Sequence, residues 1–289
     1  MPTQAPLVIS VVTACLNSEQ TIRETIESVR TQDYSAVEHI VMDGGSKDDT
    51  LKILAGYPHL RVFSEKDEGH YHAMNLGIER ARGDVVGILN ADDYYRPGAL
   101  SAIAASLAQH SDWEGLFGDF VFVDGQGHEL YRRKEAIFDY DTMRYAFGYI
   151  CHPALFVKKE VYQKFGAYRY KSFKNLCDYD FILRIAKARC KIGTLHQFIV
   201  NFRYHDFGQS LDKRVIRNFE RETWEIKKEH GVPGGFAGQI LHVYGHARRQ
   251  MQKLIYRGTC DIYPARWLMR RHMRERTTFS SNIGIDKLS

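Results

Sequence analysis

Residues 83–93 read Gly83-Asp84-Val85-Val86-Gly87-Ile88-Leu89-Asn90-Ala91-Asp92-Asp93. A turn dipeptide opens the stretch, Val85 to Leu89 forms a short apolar run, and the run stops abruptly at polar residues. That pattern predicts a buried strand. Pro97 then falls at the first turn of a helix that continues through Leu107. The same strand and helix alternation extends back to the start of the chain. Val8 to Val12 is a β-branched run, and Ser18 with Glu19 opens a helix carried by Ile22, Ile26 and Val29. Val37 to Met42 is a second strand, followed by a short helix opened by Asp48 or Asp49. Leu60 to Phe63 is a third strand, and His70 to Arg82 a third helix. Such alternation implies an α/β fold: a Rossmann-like, mostly parallel sheet, right-handedly wound, with helices on both faces.

In open sheets of this kind, ligands bind at the carboxyl ends of the strands. The polar clusters fall there: Thr13 to Asn17, Asp43, Glu65 to Asp67, and Asn90 to Asp93. Past residue 110 or so the pattern changes. Leu116 to Val123 and His128 to Tyr131 flank Asp124-Gly125-Gln126-Gly127 and read as a hairpin. Ala154 to Val157 is a short strand and Asp178 to Ala188 a helix. Asp212 to His230 is a charged helix, Gly231 to Gly235 a break, and the remainder a basic helical tail. We divide the chain into a catalytic domain, residues 1–210, and a C-terminal helical, basic extension, residues 211–289.

With 289 residues, 44% hydrophobic and 26% charged, the chain can bury a full core. No run of about 18 apolar residues is present, so no membrane-spanning helix is written. Met1 to Pro6 has neither a basic region nor an apolar core, so no secretory signal is expected. The five cysteines are scattered, without CxxC spacing, and read as reduced thiols of a cytosolic protein. The net charge of +5 is concentrated late. Before residue 280, Arg248, Arg249, Lys253, Arg257, Arg266, Arg270, Arg271, Arg274 and Arg276 face only Asp261 and Glu275. Apolar and aromatic residues mixed among them (Leu254, Ile255, Tyr263, Trp267) suit an anionic membrane surface, or packing on the catalytic domain, better than nucleic acid.

The acids that close residues 83–93 repel each other unless a cation or solvent compensates. Hard oxygen ligands suit Mg²⁺ or Mn²⁺; the bland alternative is a solvated turn. Asp43-Gly44-Gly45-Ser46 allows close backbone approach and offers a carboxylate to a base N–H, or it is simply a capped turn. It is no P-loop, since GxxxxGK[ST] is absent. Asp178-Tyr179-Asp180 supplies either a general base or acids that complement a helix dipole. His205 is a metal or phosphate contact, or structural. Glu68, His70 and His72 lack the HExxH spacing of zinc sites.

Together these segments resemble the family 2 glycosyltransferases, whose fold is the A-type glycosyltransferase fold. Val8 to Asn17 is similar to the family's opening strand, with Leu16 in place of the usual aromatic. Val41 to Thr50 resembles its D-G-S-x-D-x-T signature with one extra glycine. Ser64 to Gly77 is similar to the S-E-x-D-x-G-x-Y-D-A-M-N-x-G stretch of a bacterial polysaccharide-biosynthesis subgroup, with His72 for Asp. Leu89 to Asp93 lies where the family has its D-x-D metal motif, with Asn90 for the first Asp. Cys177 to Arg184 resembles the E-D segment, with Cys177 for Glu. The resemblance spans residues 7–210.

It implies a metal-dependent, inverting transfer of sugar from a nucleotide-sugar donor, UDP by family habit, to a saccharide or lipid-linked acceptor. Asp178 would be the catalytic base. Thr13, Asp43, Asp67, Asn75 and Asp93 would bind the nucleotide sugar, and Asp92 and His205 the Mn²⁺ or Mg²⁺. The rival readings are a catalytically silent nucleotide-sugar-binding protein and a nucleotidyltransferase. A nucleotidyltransferase should carry a Gly-rich basic loop after the first strand, and Thr13 to Asn17 has none. The expected location is the cytoplasm, with peripheral contact at the inner face of the membrane through the basic tail.

Overall fold

A computed structural model describes residues 6–204 and 213–258. Four strands, β1 (Ile9–Cys15), β2 (Val37–Asp43), β3 (Arg61–Ser64) and β4 (Val85–Ile88), are parallel neighbours in the order β3-β2-β1-β4. Helices α1 (Ile22–Arg30), α2 (Thr50–Ala55) and α3 (His70–Arg80) connect them, and α4 (Ala99–Gln109) follows the short strand β5 (Tyr94–Tyr95). The sheet continues through β6 (Gly115–Val123), β8 (Leu155–Lys158) and β9 (Ile192–Arg203), in the full order β3-β2-β1-β4-β8-β6-β9-β5. Strand β7 (Glu129–Arg133) forms the expected hairpin with β6. Strand β8 lies antiparallel between β4 and β6, and β9 runs parallel to β6, so the sheet is mixed but mostly parallel.

Period-two alternation decides which helix each strand residue meets. On one face Val12, Ile40, Met42, Val86 and Ile88 pack with Tyr71, Met74 and Ile78 of α3. The same cluster takes in Phe181, Ile182 and Ile185 of α7 (Cys177–Lys187). On the other face Ile9, Val11, Val85 and Leu89 pack with Leu100, Ile103 and Leu107 of α4. Cys15 and Val41 meet Ile22 and Ile26 of α1 and Leu54 of α2. Gly87 gives Phe156 its place, since a Cβ there would come within 2.3 Å of the Phe156 ring. Full burial of that ring is worth ~2–3 kcal/mol.

Four more helices complete the molecule: α5 (Tyr140–Tyr145), α6 (Lys159–Phe165), α8 (Lys213–Glu229) and α9 (Gly235–Arg257). Helix α8 joins the first core through Ile226. In helix α9 three arginines of the basic stretch pack on the catalytic domain, one of the two placements the sequence leaves open. Arg249 pairs with Glu135, Arg257 with Asp119 at 2.5 Å, and Arg248 with Asp139 at 3.1 Å. These arginines point inward because Asp119 and Glu135 are buried acids (each 1% exposed) that need partners. The rest of the basic tail, from residue 259, lies outside the described residues.

Candidate active site

The carboxyl ends of β1, β2 and β3 meet at one edge. Asp43 closes β2 and is buried, accepting from Gly45 N at 3.1 Å, Ser46 N at 3.2 Å, Ser64 Oγ at 2.6 Å and Ser46 Oγ. Burial pushes its carboxyl up, but these donors outweigh it and hold it below the usual range. Asp43 therefore organises its own loop. The loop is stitched to the end of β1: Asn17 N donates to Ser46 Oγ at 2.8 Å, and Lys47 N to Asn17 Oδ1 at 2.9 Å. Asp67 lies directly over Gly44, where a Cβ would sit 2.6 Å from its Oδ2 and 3.6 Å from the exposed Leu16. Its Oδ1 accepts from Gly69 N at 2.7 Å, ahead of α3. Thr13 is fully buried beneath this edge, paired with His39 Nε2 at 3.0 Å.

At the end of β4 the two acids differ. Asp93 is buried, accepting from Asn90 Nδ2 and from Arg203 N, each at 2.8 Å. Burial, then the charge of Asp92, pushes its carboxyl well above the usual range. Thr25 Oγ1 donates to its carbonyl at 2.8 Å. Asp92 is half-buried, and Arg203 Nε donates to its carbonyl at 2.9 Å. Arg203 also pairs with Glu24 and donates to Gly125 O at 2.6 Å, so it buttresses the whole Asp92–Asp93 turn. Sequence reading gave Arg203 no role.

Among the described residues no group of three or more His, Cys, Asp or Glu side chains is placed to hold a metal ion. A half-buried carboxylate is nonetheless the donor that Mg²⁺ or Mn²⁺ takes when phosphate oxygens and water fill the remaining positions. Asp92 fits that description. His205 lies outside the described residues.

The first turn of α7 separates its two acids. Asp180 has no exposed surface and is held by Arg169 Nε at 2.9 Å and Arg184 Nε at 3.0 Å. Asp178 is half-buried and accepts from Tyr71 Oη at 2.8 Å. Tyr71 is buried on α3, 5.3 Å from the Tyr168 ring and 4.1 Å from that of His70. Tyr168 is fixed through its backbone by Asn75, which donates to its carbonyl at 2.8 Å and accepts from its N–H at 2.9 Å. With both ends of the amide so engaged, Asn75 is a strut between α3 and the 168 segment. Glu222 of α8 accepts from Lys174 N at 3.0 Å, Asn175 N at 2.9 Å and Leu176 N at 3.2 Å, pinning the turn that leads into Asp178. Neither Tyr71 nor Glu222 was singled out from sequence; the tyrosine was visible only as a letter of a motif, and the glutamate as one charge among many.

Overlapping electrostatic fields tie these segments together. Burial and then Asp43 push the Cys15 thiol up to about 12, with Asp48 and Asp67 adding to it. Desolvation lowers the His70 imidazole while Asp178 and Asp67 oppose that. Burial and then Asp93 raise the Cys151 thiol, and Asp178 acts in the same direction. Asp43 and Asp67 thus act together on Cys15, Asp67 and Asp178 on His70, and Asp93 and Asp178 on Cys151.

An α/β sheet whose strand ends gather acids from four segments is the architecture of A-type glycosyltransferases. Residues 10–175, more than half of the chain, match Glycosyl transferase family 2, and the chain belongs to that family. It is 28% identical to a PGL/p-HBAD biosynthesis glycosyltransferase of Mycobacterium bovis over 76% of this chain and 86% of the relative. An uncharacterised glycosyltransferase of Mycobacterium tuberculosis is 29% identical over 85% of this chain and 92% of its own. Among solved structures, Staphylococcus aureus TarS in complex with UDP superposes with a TM-score of 0.61 at 17% identity, over 87% of this chain and 73% of that one. TarS with UDP-GlcNAc gives 0.60 at 17% identity, over 85% and 81%.

Proposed function

We propose that this glycosyltransferase moves a sugar from a uridine diphosphate donor to the hydroxyl of a saccharide or lipid-linked acceptor, inverting the anomeric centre. The reading is carried by Asp178, a half-buried carboxylate held by Tyr71 within the field that also contains Asp67. The UDP and UDP-GlcNAc bound by TarS support the choice of donor.

The nucleoside would lie against Leu16 and the Gly44–Asp67 contact, on a floor that Asp43 and Thr13 shape from beneath. Asn75 would set the distance between that floor and the acceptor side. Asp92, with His205 as a candidate second ligand, would hold Mn²⁺ or Mg²⁺, which when bound stabilises negative charge on the departing diphosphate. Asp93, buried and shared by Asn90 and Arg203, would fix the turn that presents Asp92 beside the donor sugar. Asp178 would take the proton of the acceptor hydroxyl as its oxygen attacks the face opposite the leaving group. One displacement with one base inverts the centre. We expect Asp178→Asn to bind donor as the parent does, by calorimetry, while transfer falls by ~10²-fold or more. Retention of most of kcat would rule Asp178 out as the base.

A further inference from the structure

Helix α9 is built the wrong way round for a surface helix. Gly245, Arg249, Gln252 and Lys253 form its buried stripe. Phe236, Ile240, Val243, Met251, Leu254 and Ile255 are its exposed apolar residues, from 53% to 77% exposed. Their spacing puts them on one face along roughly 28 Å of helix, at 1.5 Å per residue. Ordinary surface helices place charge outward and apolar residues inward. Here the arginines turn inward to Asp119, Glu135 and Asp139, which leaves the apolar stripe facing out. A cavity of about 900 Å³ between α8 and α9 adjoins this stripe at Val243 and is lined by Trp224 and Val232 among others. Trp224 is itself 44% exposed. A continuous apolar face of this length marks a contact with an apolar medium.

We propose that this face docks the enzyme on an anionic lipid bilayer, α9 lying in the plane of the headgroups. Charge selects the bilayer over a second copy of the chain. Each copy carries a net charge of +5, and the sequence just after α9 holds Arg266, Arg270, Arg271, Arg274 and Arg276 against Asp261 and Glu275. A symmetric pair gains no complementary charge from such a partner. Anionic headgroups do complement it, at about 1 kcal/mol per cation near the surface. The inference stands apart from sugar transfer, because lipid binding needs neither donor nor base.

The test is flotation of the full chain with vesicles of phosphatidylcholine alone or mixed with phosphatidylglycerol. Wild type should float with the anionic vesicles and be released by salt. Val243→Glu with Leu254→Glu should lose about tenfold or more in lipid affinity while hydrolysing UDP-sugar at the parent rate. The milder pair Ile240→Ser with Ile255→Ser should show the same direction, with an unchanged melting curve. Failure of wild type to float, or equal flotation of both pairs, would overturn the proposal; the second result would assign binding to the chain beyond α9. A wild-type dimer by light scattering that the Val243 and Leu254 pair converts to monomer, without lipid binding, would also overturn it in favour of a second copy.

Discussion

Asp178 and Asp180 are two positions apart on one helix, and the side chains around them give them opposite employment. Asp180 is enclosed by Arg169 and Arg184, whereas Asp178 meets a single phenol and keeps part of its surface open. Sequence shows two acids in a first turn; only tertiary partners from residues 71, 169 and 184 separate them. The Tyr71 hydroxyl holds the Asp178 carboxylate in place by donating to it at 2.8 Å. Tyr71→Phe should therefore lower kcat by about tenfold at unchanged donor affinity. An unchanged kcat would reduce Tyr71 to a packing residue. Gly44 is a second residue whose meaning lies in its neighbour. Gly44→Ala drives a methyl into Asp67 Oδ2, and the donor KM should rise by about tenfold with the melting temperature little changed. An unaltered KM would show that Asp67 does not touch the donor. Thr13 and Asn75 were legible as motif letters, yet the structure gives both of them inward partners, His39 and Tyr168.

At the scale of elements, the first four strands were legible because each is a short apolar run stopped by polar residues, and the structure sets them side by side in parallel. The hairpin of β6 and β7 was announced by its Asp124-Gly125 turn. Strand β9 was not read, because Gly193, His196 and Gln197 interrupt its apolar pattern. Gly193 is required there, since a Cβ would come within 2.0 Å of the Trp113 ring. Helices α5 and α6 are too short, and β5 too small, to display a period. In the C-terminal extension, α8 reaches back through Glu222 to hold the turn before α7. Glu222→Gln keeps the shape and removes the charge from three or more hydrogen bonds. We expect a stability loss of ~1.5–3 kcal/mol in denaturant unfolding, together with a lower kcat at unchanged donor affinity. A stability loss with kcat intact would mean that the turn does not position Asp178.

For the whole molecule, the junction between catalytic sheet and C-terminal helices leaves a buried amine. Lys227 donates to Tyr145 O at 3.1 Å and Ala146 O at 2.8 Å, and burial pulls its pKa from 10.5 to about 8. The unfolded chain thus holds more protons than the folded one between those values, so this group makes stability rise with pH across that window. Relative to Lys227→Met, wild type should gain up to ~3 kcal/mol between about pH 8 and 10.5. A pH-independent difference would show that the ammonium is solvated. The long reach of the site's contacts also orders its assembly in time. Arg203 meets Asp93 across 110 positions, and Tyr71 meets Asp178 across 107. On a translating ribosome the loops around Asp43 and Asp67 emerge early, while Asp178 and Arg203 are still being synthesised. A nascent chain can therefore shape those two loops long before the whole edge exists, and its completion must wait for residues 178 and 203.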